Sequence, residues 1–140
     1  VGYRHYDAHG IQPLFAFGHG LSYTSFDYEN LVITPNDDQT INVDFDLTNT
    51  GDRSGAEIAQ LYIGIPATDD VPQPPKQLKG FQKVQLDAGA TGHVHFVLDQ
   101  RALSYWDTTS HAWTVAAGTY QIMVGSSSRD IRLTGATIQP

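Results

Sequence analysis

The chain has 140 residues, no cysteine and a net charge of −7, which fits one domain able to bury roughly 70% of its unfolded surface without disulfide staples or a thiolate metal site. No Lys or Arg falls between Arg4 and Arg53, while eight acidic residues do, so the basic footprint of a nucleic-acid binder and the attraction to an anionic membrane surface are both missing. No apolar run approaches the ~18 residues of a membrane span, no Asn-x-Ser/Thr sequon occurs, and the start at Val1, without a secretory leader, reads as a piece of something longer.

Residues 1–23 form an irregular leader. Gly2, Gly10, Pro13, Gly18 and Gly20 interrupt every regular period. Tyr3, Tyr6, Ile11, Leu14, Phe15 and Phe17 nevertheless make an apolar set too large to leave in water. The leader is therefore expected to lie against its own domain or a neighbouring one.

From Phe26 onward the pattern predicts strands. Phe26 to Thr34 is stopped by the turn cluster Pro35-Asn36-Asp37-Asp38. In Thr40 to Thr48, Ile41, Val43, Phe45 and Leu47 alternate with polar residues, the period of a half-buried strand. Asn49-Thr50-Gly51-Asp52 turns the chain, and Ala56 to Ile65, apolar on both faces in places, predicts a central strand. Four prolines make Pro66 to Pro75 a loop. Gln77 to Leu86 and Thr91 to Asp99 predict two more strands around the turn Asp87-Ala88-Gly89-Ala90. A helical turn is expected at Gln100 to Leu103, then two short segments, Tyr105 to Asp107 and Ala112 to Val115, around a polar turn. Gly118 to Gly125 and Asp130 to Ile138 close the set across a turn at Ser126-Ser127-Ser128. About seven short, regularly punctuated strands predict an all-β antiparallel sandwich. Tyr120, at the start of a late strand, suits a tyrosine corner.

No assembled chemistry follows from the residues. Asp44 and Asp46 share a strand face about 6.6 Å apart, a spacing that overlaps the carboxylate pair of an inverting glycosidase. Any exposed Asp-x-Asp on a strand has it, and a solvated sheet face is the expectation. His93 and His95 also share a face and would suit a metal, but no third ligand stands near them in sequence. Exposed histidines are expected. His19, between two glycines, reads as an interface histidine. No serine sits in a Gly-x-Ser-x-Gly elbow. Gly18-His19-Gly20 lacks the strand, helix and lysine of a phosphate loop, and Asp37-Asp38 and Asp69-Asp70 are too short for calcium loops. Tyr105, Trp106 and Trp113 could stack on a sugar ring, with core packing as the default. No catalytic residue, cofactor or metal is assigned.

The motifs acquire meaning as an ordered set. Gly2-Tyr3-Arg4-His5-Tyr6-Asp7 and Pro13 through Thr24 open it. Asn49-Thr50-Gly51-Asp52-Arg53-Ser54-Gly55-Ala56-Glu57, Gln60-Leu61-Tyr62 and Pro74 through Phe81 follow. Leu103 through Asp107 and Gly125 through Ile131 close it. The whole resembles the C-terminal region of glycoside hydrolase family 3, the β-glucosidase and β-xylosidase family. Ala16, where the family often has proline, and His5, where an aromatic is common, are small departures.

The resemblance implies an immunoglobulin-like or fibronectin type III-like sandwich over residues 24–140, with residues 1–23 as the linker from a preceding α/β-sandwich domain. It places the catalytic Asp and Glu upstream, on domains absent here. It gives interface character to Tyr3, Arg4, Tyr6, Asp7, Phe15, Phe17, His19, Leu21 and Tyr23. The partners it implies are the barrel and α/β-sandwich domains of a secreted or periplasmic parent. A non-catalytic accessory domain is the leading expectation. A carbohydrate- or polymer-binding module and a free-standing interaction domain are the alternatives.

Overall fold

Burial on one side of each strand builds the domain, and Ile41–Asn49 shows it most plainly. In the computed structural model, which describes residues 24–66 and 76–139, Ile41, Val43, Phe45 and Leu47 have no exposed surface, and the residues between them are half-buried.

The described residues form nine strands in chain order: β1 (Phe26–Pro35), β2 (Ile41–Asn49), β3 (Gly55–Gly64), β4 (Gln77–Leu86), β5 (Thr91–Leu98), β6 (Ser104–Asp107), β7 (Ala112–Val115), β8 (Gly118–Ser127) and β9 (Asp130–Gln139). A three-stranded sheet has the order β1-β2-β5 and a four-stranded sheet the order β4-β3-β8-β9, with every pairing antiparallel. These seven strands are the sandwich; among the described residues β6 and β7 pair only with each other. The expected seven-stranded sandwich is there, with a separate hairpin added.

β3 is central, between β4 and β8, which explains its unbroken run of buried residues from Ala59 to Ile63. Between the sheets, Tyr28, Phe45 and Phe96 stack in series, with ring centroids 5.7 and 6.2 Å apart. β1 and β9 belong to different sheets yet lie side by side. Arg132 on β9 donates from Nη1 to the Phe26 carbonyl at 3.0 Å, and Ile33 packs on Gly135.

One local detail differs from the sequence reading, and the helical turn expected at 100–103 is present. β8 runs on through Ser127, so the turn is at Ser128 and Arg129 rather than at 126–128. The ladder pairing of Ser127 with Asp130 keeps those residues in the sheet. The segment at 100–103 is one turn, with the Leu103 amide bonded to the Asp99 carbonyl and Asp99 Oδ1 capping the Ala102 amide at 2.8 Å.

Candidate functional site

The β6–β7 hairpin is held from beneath by one phenol. Tyr120 is fully buried at the start of β8, and its hydroxyl approaches two carbonyls, Ala116 at 2.7 Å and Leu103 at 2.8 Å. This is the tyrosine corner expected from the sequence. Leu103 precedes β6 and Ala116 follows β7, so Tyr120 ties both feet of the hairpin to the core. Burial pushes its hydroxyl pKa up to about 12.

Above that anchor, Trp106 and Trp113 sit directly opposite each other and meet edge to face, with centroids 5.8 Å apart. The Arg101 guanidinium lies 3.8 Å over the Trp113 ring. Core packing was the default expectation for both rings, and the structure overturns it. Trp106 is 46% and Trp113 49% exposed. Among the described residues the two-stranded sheet has no second layer over its outer side, and Tyr105 on the alternate face of β6 and Val115 on β7 pack against the core. The result is an open aromatic corner of the kind that accepts the C–H face of a pyranose or another flat apolar group.

The second cluster lies on the outer face of the three-stranded sheet. β2 and β5 pair so that Asp44 stands opposite His95 and Asp46 opposite His93. His93 contacts Asp46 through Nδ1 at 3.1 Å and Asp44 through Nε2 at 2.9 Å, and His95 Nδ1 reaches the same Asp44 oxygen at 2.7 Å. Asn30, in the left-handed region at φ 59° within the β1 bulge, donates to Asp46 at 2.9 Å.

The electrostatics follow from these contacts. Hydrogen bonds to Asp46 and then Asp44 raise the His93 pKa, as expected for an imidazole flanked on both nitrogens by carboxylates. Burial alone would raise Asp44, but the bonds from His93 and His95 outweigh it and hold the carboxyl below its usual range. The Asn30 bond, then His93, does the same for Asp46. The expectation of a solvated sheet face holds in that both imidazoles are about half exposed or more. The four side chains are arranged around one another rather than around a common empty centre. Among the described residues no group of three or more such side chains could hold a metal ion. The sequence reading missed their meeting because 47 to 51 residues separate the partners; only the β2–β5 register brings them together.

A third polar group sits at the junction of the sheets. The Tyr28 hydroxyl is buried beside the Glu57 carboxylate, and among the described residues it makes no well-formed hydrogen bond. Burial, and then the nearby Glu57 carboxylate, drives its pKa far up. Burial likewise raises Glu57, which Tyr28 and Arg132 partly offset. The predicted interface residues Tyr3, Arg4, Tyr6, Asp7, Phe15, Phe17, His19, Leu21 and Tyr23 all lie outside the described residues.

A three-on-four antiparallel sandwich with a tyrosine corner, and with Asp44, Asp46, His93 and His95 engaged with one another, defines an antiparallel β-sandwich module. The chain belongs to the fibronectin type III-like domain family, whose model matches residues 57–128. It is similar to a probable β-glucosidase L of Emericella nidulans, with 45% identity over 97% of this chain and 21% of that protein. It is 40% identical to a probable β-glucosidase D of Aspergillus niger, over 99% of this chain and 21% of that protein.

Among solved structures, the glycoside hydrolase family 3 β-glucosidase of Bifidobacterium adolescentis superposes with a TM-score of 0.94 at 39% identity, over 99% of this chain and 20% of that one. A β-glucosidase of Chaetomella raphigera gives 0.90 at 43% identity, over 97% and 22%. The chain thus spans about a fifth of the length of the curated relatives it matches. It is a fibronectin type III-like domain similar to one part of each of these longer β-glucosidases.

Proposed function

We propose that this chain is a non-catalytic brace within a family 3 β-glycosidase that hydrolyses terminal β-D-glucosyl or related bonds. One observation carries the reading: nearly the whole chain aligns with about a fifth of much longer β-glucosidases; in this reading the reacting groups belong to the other four fifths. In this reading residues 1–23 link the sandwich of residues 24–140 to preceding α/β-sandwich and barrel domains. Tyr3, Arg4, Tyr6, Asp7, Phe15, Phe17, His19, Leu21 and Tyr23 supply the contact. An assay of the 140-residue chain on an aryl β-glucoside is expected to give no turnover. Turnover that a single carboxylate substitution here abolishes would overturn the reading. Deleting the domain from the longer enzyme is expected to lower its thermal tolerance.

The exposed Trp106–Trp113 corner favours a second role, holding the parent on polysaccharide. Two half-exposed tryptophans on a projecting hairpin are poorly explained by folding alone. Sedimentation with cellulose, xylan and lignin tests it, comparing the chain with its Trp113→Ala form. Retention that is equal in the two would remove the corner from consideration.

A further inference from the structure

The family-like run Asn49 to Gly55 does more than turn the chain between two strands. Asn49 ends β2 with no exposed surface. Its Nδ2 donates to the Arg53 carbonyl at 2.7 Å and the Leu86 carbonyl at 3.1 Å. Its Oδ1 accepts from the Gly51 amide at 3.0 Å and from the Thr24 hydroxyl at 2.7 Å. Two donors and two lone pairs are the full capacity of an amide side chain, so none is left over. Its backbone is held as well, bonding Ala90 through N and the Gly89 amide through O, both at 2.9 Å. One buried residue therefore ties the β2–β3 turn, the β4–β5 turn and residue 24 together.

The space around Thr24 is equally specific. A Cβ on Gly51 would fall on the Thr24 hydroxyl, and a Cβ on Gly55 would stand 2.7 Å from the Thr24 methyl. Both glycines are thus required by the close approach of a threonine. Thr24 has one polar and one apolar branch, and each meets its counterpart: Asn49 on one side, the bare Gly55 backbone on the other. The Thr50 amide adds a bond to the Ser25 carbonyl at 2.8 Å. The β1–β2 ladder begins only at Phe26, opposite Asn49. Residues 24 and 25 lie before that ladder, where a strand end ordinarily frays.

We propose that Asn49, Gly51 and Gly55 form a socket that seats Thr24 and fixes the direction in which the polypeptide enters the sandwich. Its partner is the preceding part of the same chain. The inference rests on the brace reading for its purpose: a brace has to transmit position, and a frayed entry would act as a tether instead. The socket itself stands on the geometry of residues 24–55 and 86–90.

The test uses the 140-residue chain and reads amide exchange residue by residue, without activity. Thr24→Val keeps the shape and removes the donor; Gly51→Ala fills the socket. In both, the Thr50 and Gly51 amides are expected to exchange about tenfold faster, the size of one lost hydrogen bond. Proteolysis just before Phe26 is expected to rise, while Leu61 and Val124, on β3 and β8, keep their protection. The pair Gly51→Ala with Thr24→Gly removes the clash. It should raise the unfolding midpoint above that of Gly51→Ala alone yet leave the entry cut as readily. Unchanged exchange at Thr50 and Gly51 in both single variants overturns the socket. So does acceleration at Leu61 and Val124 by the same factor, which would make it an undifferentiated part of the core. The brace reading fails separately, if the longer enzyme loses no thermal tolerance without this domain.

Discussion

The outer face of the three-stranded sheet and the β6–β7 hairpin hold most of the exposed chemistry of the described residues, and they use it in opposite ways. On the sheet, Asp44, Asp46, His93 and His95 are satisfied by one another across β2 and β5. On the hairpin, Trp106 and Trp113 touch each other and Arg101 but keep about half of their surface open. A face whose groups are mutually engaged has little left to offer a partner. A face with uncovered apolar area still gains free energy when something covers it. The contrast puts aromatic interaction potential on the hairpin, in addition to the exposed Phe81 of β4.

The largest expected effect attacks the anchor that keeps the hairpin in place. Tyr120→Phe leaves the Leu103 and Ala116 carbonyls without their buried donor and should cost about 1–3 kcal/mol in urea unfolding. Amide exchange along β6 and β7 should rise more than along β2 and β5. A loss spread evenly over both regions would mean that the hairpin is not specially dependent on the core.

Next comes the aromatic corner itself. Trp113→Ala removes the edge-to-face contact and the Arg101 stacking, together worth about 1 kcal/mol at an exposed site. Faster exchange from Ala112 to Val115, with little change in the global midpoint, is the expected result. A large global shift would show that the rings are core after all.

The sheet ladder should show a smaller effect with a pH window. His93 has a raised pKa, so its share of stability is complete below about pH 6.5 and is lost as pH rises through the shifted value. Asp44 and Asp46 are lowered, so their share is present above about pH 4 and is lost on further acidification. The gap in melting temperature between wild type and His93→Ala should therefore peak between those values and shrink at pH 9 and pH 2. An equal gap at pH 5.5 and pH 9 would disconnect the ladder from charge.

The smallest effect concerns Glu57, which is half-buried beside Tyr28 and Arg132. Its raised pKa means that the folded state holds the proton more tightly, so stability falls as pH rises above the ordinary carboxyl range. Glu57→Gln should raise the melting temperature slightly at pH 7 and leave it unchanged at pH 4.

The strands were legible because their period is strict. Ile41 to Leu47 alternates without exception, and the apolar run at Ala59 to Ile63 announces a strand covered on both sides. Tyr120 was legible because its corner is a local motif, reaching back four residues to Ala116. The exposure of Trp106 and Trp113 was not legible, since nothing in their neighbours says that β6 and β7 pair only with each other. The Asp–His ladder was hidden for a different reason. Each half is an ordinary x-polar-x-polar strand face, and the chemistry exists only in a register between strands far apart in sequence. Asn49 looked like a turn residue, and its hub role depends on Leu86 and Thr24, which are equally remote.

One contact described for the fold bears on mechanics. Arg132 reaches the Phe26 carbonyl near the start of both β1 and β9, so the two strands set out from the same pole. From there β9 runs roughly 20 Å to Ile138, at ~3.3 Å per residue. The anchored entry at Thr24 and the far end of the last strand thus stand at opposite poles. A pull applied between them loads β1 against β2, and β9 against β8, along their lengths. The ladder bonds then resist together in shear instead of parting one at a time, so the domain holds its length under tension.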